Sequence, residues 1–321
     1  MRIALSLGSG GARGFAHIGV IEELEERGHQ IVAISGASMG ALVGGVYAAG
    51  KLPEFRDWAY ALTQSSVFGL LDFALRGPGV VKADRVVGEV SEMLGNVLIE
   101  DLNVPYTAVA TDLTARREIW FQTGPLAMAI RASIAIPSVI TPVNYGGHIL
   151  ADGGVMNPVP LEPLSSTVSD ATIAVALSGR PDKVRAVTDP VGDAEEEQSP
   201  GWLMRVLTLG AERLDKEPPQ GLAARLRSRD KSDSEESSVA DVDQLPSFDN
   251  LPESLKVADV LTMSLETMQG AIGRYRMAAT PPDLLVSIPR DTAGTYDFHH
   301  AREIADVGRE EAITAFDAAG L

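Results

Sequence analysis

Three stretches of this 321-residue sequence carry residues whose types and spacing could do chemistry. "SLGSGGARG" at 6–14 puts four glycines directly behind the apolar run Ile3-Ala4-Leu5. Glycine is used where the backbone must take positive φ or come close to another group. A turn of this kind opening a helix presents bare N–H groups to a phosphate or a developing oxyanion. "GASMG" at 36–40 is a G-x-S-x-G that follows a β-branched run and precedes a small-residue helix. In that context Ser38 sits on a strand-to-helix turn with its hydroxyl exposed at the positive end of a helix, as a nucleophile needs. The plainer reading makes it a helix N-cap. "ADGGV" at 151–155 supplies Asp152 before two glycines, either a turn only or a carboxylate that another segment approaches closely.

Serine is a weak nucleophile until a base takes its proton, and attack on an ester creates a tetrahedral oxyanion that preorganised N–H groups stabilise. Nucleophile, base and oxyanion turn are thus all available. A dinucleotide fits worse: G-x-G-x-x-G needs a third glycine where Arg13 stands, and the acidic residue that should end the second strand is replaced by the serine turn.

The elements that must position these residues follow from periodicity. Ile3–Leu7 reads as a buried strand, His17–Leu24 as a helix ending at Gly28, and Ile31–Ser35 as a second strand running into the serine turn and its helix. Pro53–Leu98 is helical in period. "YTAVATDLTARREIWFQT" and "VNYGGHILADGG" read as hairpins, the second turning at Gly146-Gly147. Pro125–Ile134 is a helix closed by Pro137, Thr172–Leu177 a strand, and order resumes near Asp259 with a helix, a strand at Leu284–Ile288 and a last helix over Phe298–Ala319. Residues 1–178 therefore read as a compact α/β core with a mixed sheet, and 257–321 as a helix-strand-helix that completes the same domain. Between them, 189–243 hold fourteen Asp or Glu against seven Lys or Arg, so 179–256 reads as an acidic, partly mobile insertion. Within it, 201–214 is expected to be an amphipathic helix, either packed on the core or, near the mouth of the cleft, able to meet acyl chains or a lipid surface, and 230–243 to be poorly ordered and dispensable.

Composition narrows the chemistry. There are no cysteines, which excludes disulfides and thiolate sites, and the five histidines show no metal-binding spacing, so neither metal nor cofactor is expected. A formal charge of −17 repels nucleic acid and anionic head groups, so any membrane-surface contact rests on apolar surface. With no targeting segment and no long apolar run, the expected location is cytoplasmic, at most peripheral to a membrane.

The glycine turn with its basic residue, the early G-x-S-x-G and the later D-G-G, in that order, resemble the patatin-like phospholipase family. "REIWF" at 117–121, "AIRASIAIP" at 129–137, "DGGVMNPVP" at 152–160 and "RYRMAATPPDLLV" at 274–286 resemble its bacterial branch related to neuropathy target esterase. The resemblance implies a three-layer α/β/α fold around a mostly parallel sheet and a Ser-Asp dyad without histidine. It implies calcium-independent hydrolysis of lysophospholipids or simple fatty-acyl esters through an acyl-enzyme. Carried onto this chain, the nucleophile is Ser38, the base Asp152, the oxyanion donors the amides of Gly10, Gly11 and Ala12, and Arg13 matches the basic position after the glycines. Ser9 stands where many members have the first glycine of this turn. Arg131, Ser133, Asn157 and Pro158 read as structural, explained by a helix ending and a turn.

Two rivals remain from the sequence. Ser38, Asp152 and His299 or His300 occur in the chain order of a Ser-His-Asp hydrolase, although both histidines follow Asp297, a natural N-cap. A catalytically silent lipid-binding or regulatory protein is the other.

Overall fold

The computed structural model describes residues 1–70, 79–180 and 257–321. The expected amphipathic helix at 201–214 and the dispensable stretch at 230–243 lie outside these residues. The chain divides into two compact units, one made of Met1–Glu195 with Leu265–Leu321 and the other of Glu196–Ser264. The description below concerns the first.

Its centre is a sheet built from β1 (Arg2–Leu7), β2 (Gln30–Ala37), β4 (Tyr106–Asp112), β5 (Arg117–Phe121), β7 (Val143–Tyr145), β8 (His148–Asp152), β9 (Ala171–Gly179) and β10 (Leu284–Pro289). The order is β10-β9-β1-β2-β4-β8-β7, with β5 on the remaining edge of β4. The strands from β10 to β4 are parallel, and β5, β7 and β8 are antiparallel additions. The sheet is therefore mixed, as the two hairpins imply. The short strands β3 (Gly79–Val81) and β6 (Ser138–Ile140) pair apart from it, inside stretches whose periodicity reads as helix and loop. Three residues each are too few to carry a pattern.

Among the described residues the helices are α1 (Ala16–Glu26), α2 (Met39–Ala48), α3 (Leu52–Tyr60), α4 (Gln64–Leu70), α5 (Asp84–Leu94), α6 (Leu126–Ser133), α7 (Val257–Ala279) and α8 (Ala301–Ala319). Parallel neighbours need crossovers, and a right-handed crossover from β1 to β2 and on to β4 puts the intervening helices on one face. The strand sequences fit that asymmetry. Ile3, Leu5, Leu7, Ile173, Val175 and Leu177 join the large core shared with the helices. On the opposite face the strands present Ala4, Ala33, Ala174 and Ala176, covered by Val159, Leu161 and Leu164, with Met277 of α7 against them. Large side chains fill the helix side and alanines let irregular chain lie close on the other, so the strands read as near-continuous apolar runs. Helix α8 closes onto α1 at backbone distance, since a Cβ on Gly19 would strike Ala305 and one on Gly308 would strike Ala16.

The elements that matter most meet along one edge of β4. β2 pairs with β4 as far as Ala37 opposite Val109, and β8 takes up the same edge with Asp152 opposite Ala110. β5 holds the other edge throughout. One strand leaves at the point where the next arrives.

Candidate active site

Ser38 is the first residue past that departure. It is 2% exposed and stands at the N-cap position of α2 with φ 56° and ψ −125°, its side chain making no capping bond, and this positive φ costs a side-chain-bearing residue of order 1–3 kcal/mol and persists only where its surroundings impose it. Here they do. A Cβ on Gly36 would strike Gly40 and one on Gly40 would strike the Leu7 and Gly8 backbone, so the first turn of α2 lies directly against the end of β1. Small residues flank Ser38 because backbones touch, the arrangement that lifts a nucleophile off a strand end.

Asp152 arrives along the same edge of β4 and is 3% exposed. Its N–H donates to the Ala135 carbonyl at 2.8 Å, its carbonyl accepts from Thr111 Oγ1 at 2.9 Å, and its Oδ1 accepts from the Gly154 N–H at 2.7 Å. Gly153 passes where a Cβ would strike the Val109 carbonyl, and Gly154 where one would strike Ser9. The glycines after Asp152 are thus close-approach positions, not merely a turn. The Ser38 hydroxyl lies against the carboxylate. Burial pushes the Asp152 pKa up to about 6, while the Ser38 hydroxyl and the Gly154 N–H, which favour the charged form, oppose that rise. A free aspartate near 3.9 is a poor base, whereas one near 6 is ionised at neutral pH and still accepts a proton.

The glycine turn stands over the start of α2, with Gly14 against Met39. Gly11, at φ 57°, begins a 3-10 turn through Phe15. The N–H groups of Gly8 and Ser9 donate to the Val175 and Pro158 carbonyls at 2.9 and 2.8 Å. Ala12 departs from expectation. Its N–H, counted among the oxyanion donors, donates to the Thr295 carbonyl at 3.0 Å and is engaged. The amides of Gly10 and Gly11 carry no such bond among the described residues and remain available.

Arg13 faces away from the dyad. Its guanidinium donates to the carbonyls of Gly10, Leu177 and Arg290 at 3.3, 3.3 and 3.2 Å and pairs with Glu266 at 3.1 Å, tying the turn to β9, β10 and α7. His17 supports the turn from below: buried completely, its Nε2 donates to the Gly8 carbonyl at 2.8 Å, and burial lowers its pKa to about 4, so it stays neutral.

Two residues that the sequence assigns to structure alone touch this region. The Ser133 hydroxyl, fully buried at the end of α6, accepts the Ser38 N–H at 2.9 Å. Asn157 donates to Glu118 and Glu162 at 3.0 Å each, and Arg276 of α7 bridges the same two carboxylates, anchoring the chain just after Asp152. The signal for both is a polar side chain set among apolar neighbours, since a buried polar group needs a partner.

None of the five histidines contacts the dyad. His29 lies beside the N-terminus, His148 pairs with Asp112 at 2.7 Å, and the His299 and His300 rings lie against each other, tilted by 45° with centroids 4.1 Å apart. Asp297 does not cap the last helix as expected. Its carboxylate accepts the Gly294 N–H at 2.7 Å, and a 3-10 turn over Phe298–His300 precedes α8. Among the described residues no helix is long and apolar enough to cross a membrane.

Comparison with known proteins bears on the same residues. The family model described as "Patatin-like phospholipase" matches residues 5–165, a span holding the glycine turn, Ser38 and Asp152. The chain is 41% identical to an NTE family protein of Mycobacterium tuberculosis over 99% of its own length and 92% of that protein's. It is 32% identical to patatin-like phospholipase domain-containing protein 6 of Mus musculus over 56% of this chain and 14% of that one. Among solved structures, VipD from Legionella pneumophila is similar with a TM-score of 0.44 and 13% identity, over 99% of this chain and 66% of that one.

Proposed function

The chain belongs to the patatin-like phospholipase family, and on that premise we propose that it cleaves fatty-acyl esters, lysophospholipids among them, through Ser38 and Asp152. The observation that carries the proposal is the pairing of a strained, buried Ser38 hydroxyl with a carboxylate raised to about 6.

The reaction follows from those two groups and the glycine turn. Ser38 Oγ attacks the ester carbonyl while its proton passes to the Asp152 carboxylate. Negative charge develops on the carbonyl oxygen, and the Gly10 and Gly11 N–H groups, which meet no other acceptor among the described residues, are the donors that hold it. Collapse expels the alcohol, which takes the proton from Asp152 and leaves an acyl-serine. Water then attacks the acyl-serine with Asp152 again accepting the proton, the second tetrahedral intermediate collapses as Ser38 Oγ leaves and takes that proton back from Asp152, and the fatty acid departs with the starting dyad restored. No metal takes part in this scheme. A negatively charged chain meets a lipid surface through apolar contacts, and the reading places the enzyme in the cytoplasm with transient surface contact.

The test is Ser38→Ala. Hydrolysis of p-nitrophenyl butyrate by the purified chain is expected to fall to background with the circular-dichroism spectrum unchanged. Retained turnover in a folded variant would move the nucleophile elsewhere. Product analysis on lysophosphatidylcholine against a short-chain ester then decides the lipid class.

A further inference from the structure

The departure of β2 from the sheet leaves a gap in the hydrogen-bond ladder, and a side chain from another element fills it. In the parallel pair of β2 and β4, the Ile34 N–H donates to the Pro105 carbonyl at 2.8 Å, and Ala37 lies opposite Val109. Parallel ladders repeat every two residues, so the group that would next serve the Val109 carbonyl is the Ser38 N–H. That bond is not made: β2 ends at Ala37, the chain turns at Ser38 with φ 56°, and the Ser38 N–H goes to Ser133 instead. The Ser133 hydroxyl stands between the two groups. It accepts the Ser38 N–H at 2.9 Å and donates to the Val109 carbonyl at 2.6 Å. A strained elbow would otherwise leave a buried donor and a buried acceptor unpaired, and an unpaired buried polar group is destabilising.

The same turn of chain also holds the base. Two residues beyond Ser133, the Ala135 carbonyl accepts the Asp152 N–H at 2.8 Å. Both Ser133 and Ala135 are fully buried at the end of α6. The amide of the nucleophile and the amide of the base are thus referred to one short, buried segment, 133–135, in addition to β4.

We propose that Ser133 is a positioning residue for catalysis, its hydroxyl spliced into the β2–β4 ladder to fix the Ser38 backbone at the distance from Asp152 that proton transfer requires. The inference rests on the Ser38–Asp152 reading and goes beyond it, since Ser133 touches neither substrate nor the reacting atoms.

Ser133→Ala separates positioning from mere stability. With p-nitrophenyl butyrate, kcat is expected to fall about 10–100-fold, the cost of a small misplacement of reacting groups, while KM stays within about twofold. A second readout concerns the acid limb of the pH–rate profile. The groups that set the Asp152 pKa are burial, the Ser38 hydroxyl and the Gly154 N–H, with no charged side chain among them. Of these the Ser38 hydroxyl holds the pKa down, so its displacement moves the acid limb of kcat/KM to higher pH. A purely structural serine would lower activity evenly across pH. Wild-type kcat in the folded variant, or a loss with the acid limb unmoved, overturns the proposal. If Ser133→Ala does not fold, Ser133→Cys is read by the same two criteria, since sulfur fits the site but accepts and donates weakly. The parallel Ser38→Ala measurement keeps the two readings apart: activity there ends the dyad assignment, whereas inactivity there with an unaffected Ser133 variant ends only the positioning role.

Discussion

Two neighbouring turns, one after β1 and one after β2, serve opposite needs and are supported by different parts of the chain. The turn at 8–12 must leave backbone amides bare, so its glycines come close to surrounding chain and its carbonyls, not its open amides, are secured. His17 takes the Gly8 carbonyl and Arg13 the Gly10 carbonyl. The turn at 36–40 must aim one side chain, so its own amide is tied down by Ser133. The direct hydrogen-bond partners of Ser38 and Asp152 lie between Thr111 and Gly154, within residues 5–165 that match the family, and Arg276 of α7 reaches this region only through Glu118 and Glu162. Supports for the oxyanion turn reach to Glu266, Arg290 and Thr295, well beyond it. In the proposed scheme the nucleophile and its base are therefore held mainly from within the matched span, while the turn that would stabilise charge depends directly on the chain's last third.

The largest expected effect breaks the dyad. Asp152→Asn keeps an acceptor for the Gly154 N–H but removes the base, and ester turnover should fall by about 10³-fold or more. Stability should move the other way. The folded pKa near 6 exceeds the unfolded value near 3.8, so the proton on Asp152 favours folding below the lower value and that stability is lost as pH rises through about 6. At pH 8 wild type carries the full cost of a buried carboxylate, up to about 3 kcal/mol. The Asn variant avoids it. Thermal melts at pH 8 should find Asp152→Asn more stable than wild type, with the gap closing by about pH 4. A less stable variant at pH 8 would show that the carboxylate is not destabilised by its site.

Next comes the oxyanion turn. Gly11→Ala places a Cβ at φ 57° against the Thr295 backbone and side chain, so the turn must shift and the Gly10 and Gly11 amides with it. Removing an oxyanion donor typically costs about 10²–10³ in kcat, and a loss in that range is expected. Reaction of Ser38 with a fluorophosphonate should be slowed as well, since that adduct also bears an oxygen needing donors. Normal kcat in the folded variant would remove these amides from the mechanism.

Arg13→Gln sharpens the dependence on the last third of the chain. It deletes the carbonyl clamp and the Glu266 pair together, and kcat should fall about tenfold. Glu266→Gln leaves the carbonyl bonds in place and removes only an ion pair whose carboxylate is 44% exposed. Such pairs contribute little, so activity should change less than twofold at moderate salt. If both variants lose equally, the ion pair and not the carbonyl clamp holds the turn.

How far the sequence reveals this arrangement depends on whether a residue's role is local. Ser38, Gly10, Gly11 and Asp152 sit in turns whose composition states their purpose. Both hairpins, at 106–121 and 143–152, are visible from alternation and Gly146-Gly147. The roles of Ala12 and Ser133 are not, because each is fixed by a partner distant in sequence. The Ala12 N–H is taken by Thr295, 283 positions on, and Ser133 matters only because β2 stops opposite Val109. Strand register and end-to-end pairing on one edge of β4 are long-range facts that no window of residues contains.

The smallest expected effect tests the remaining rival. His299→Ala combined with His300→Ala should leave ester hydrolysis within about twofold of wild type, since the scheme has no imidazole to lose. The two rings lie tilted against each other in the 3-10 turn before α8, and His300 Nδ1 lies 3.9 Å from Glu303. A triad histidine would instead be oriented by a buried carboxylate and face the nucleophile. The buried carboxylate of this site is Asp152, and it faces Ser38 itself. His148 has a carboxylate partner in Asp112, but its side chain is 44% exposed, and His148→Ala should likewise retain activity. If the double variant were as inactive as Asp152→Asn while remaining folded, α8 would have to bring an imidazole to Ser38 during turnover. The comparison of the two turns would then change, because the nucleophile as well as the oxyanion turn would depend on the chain's last third.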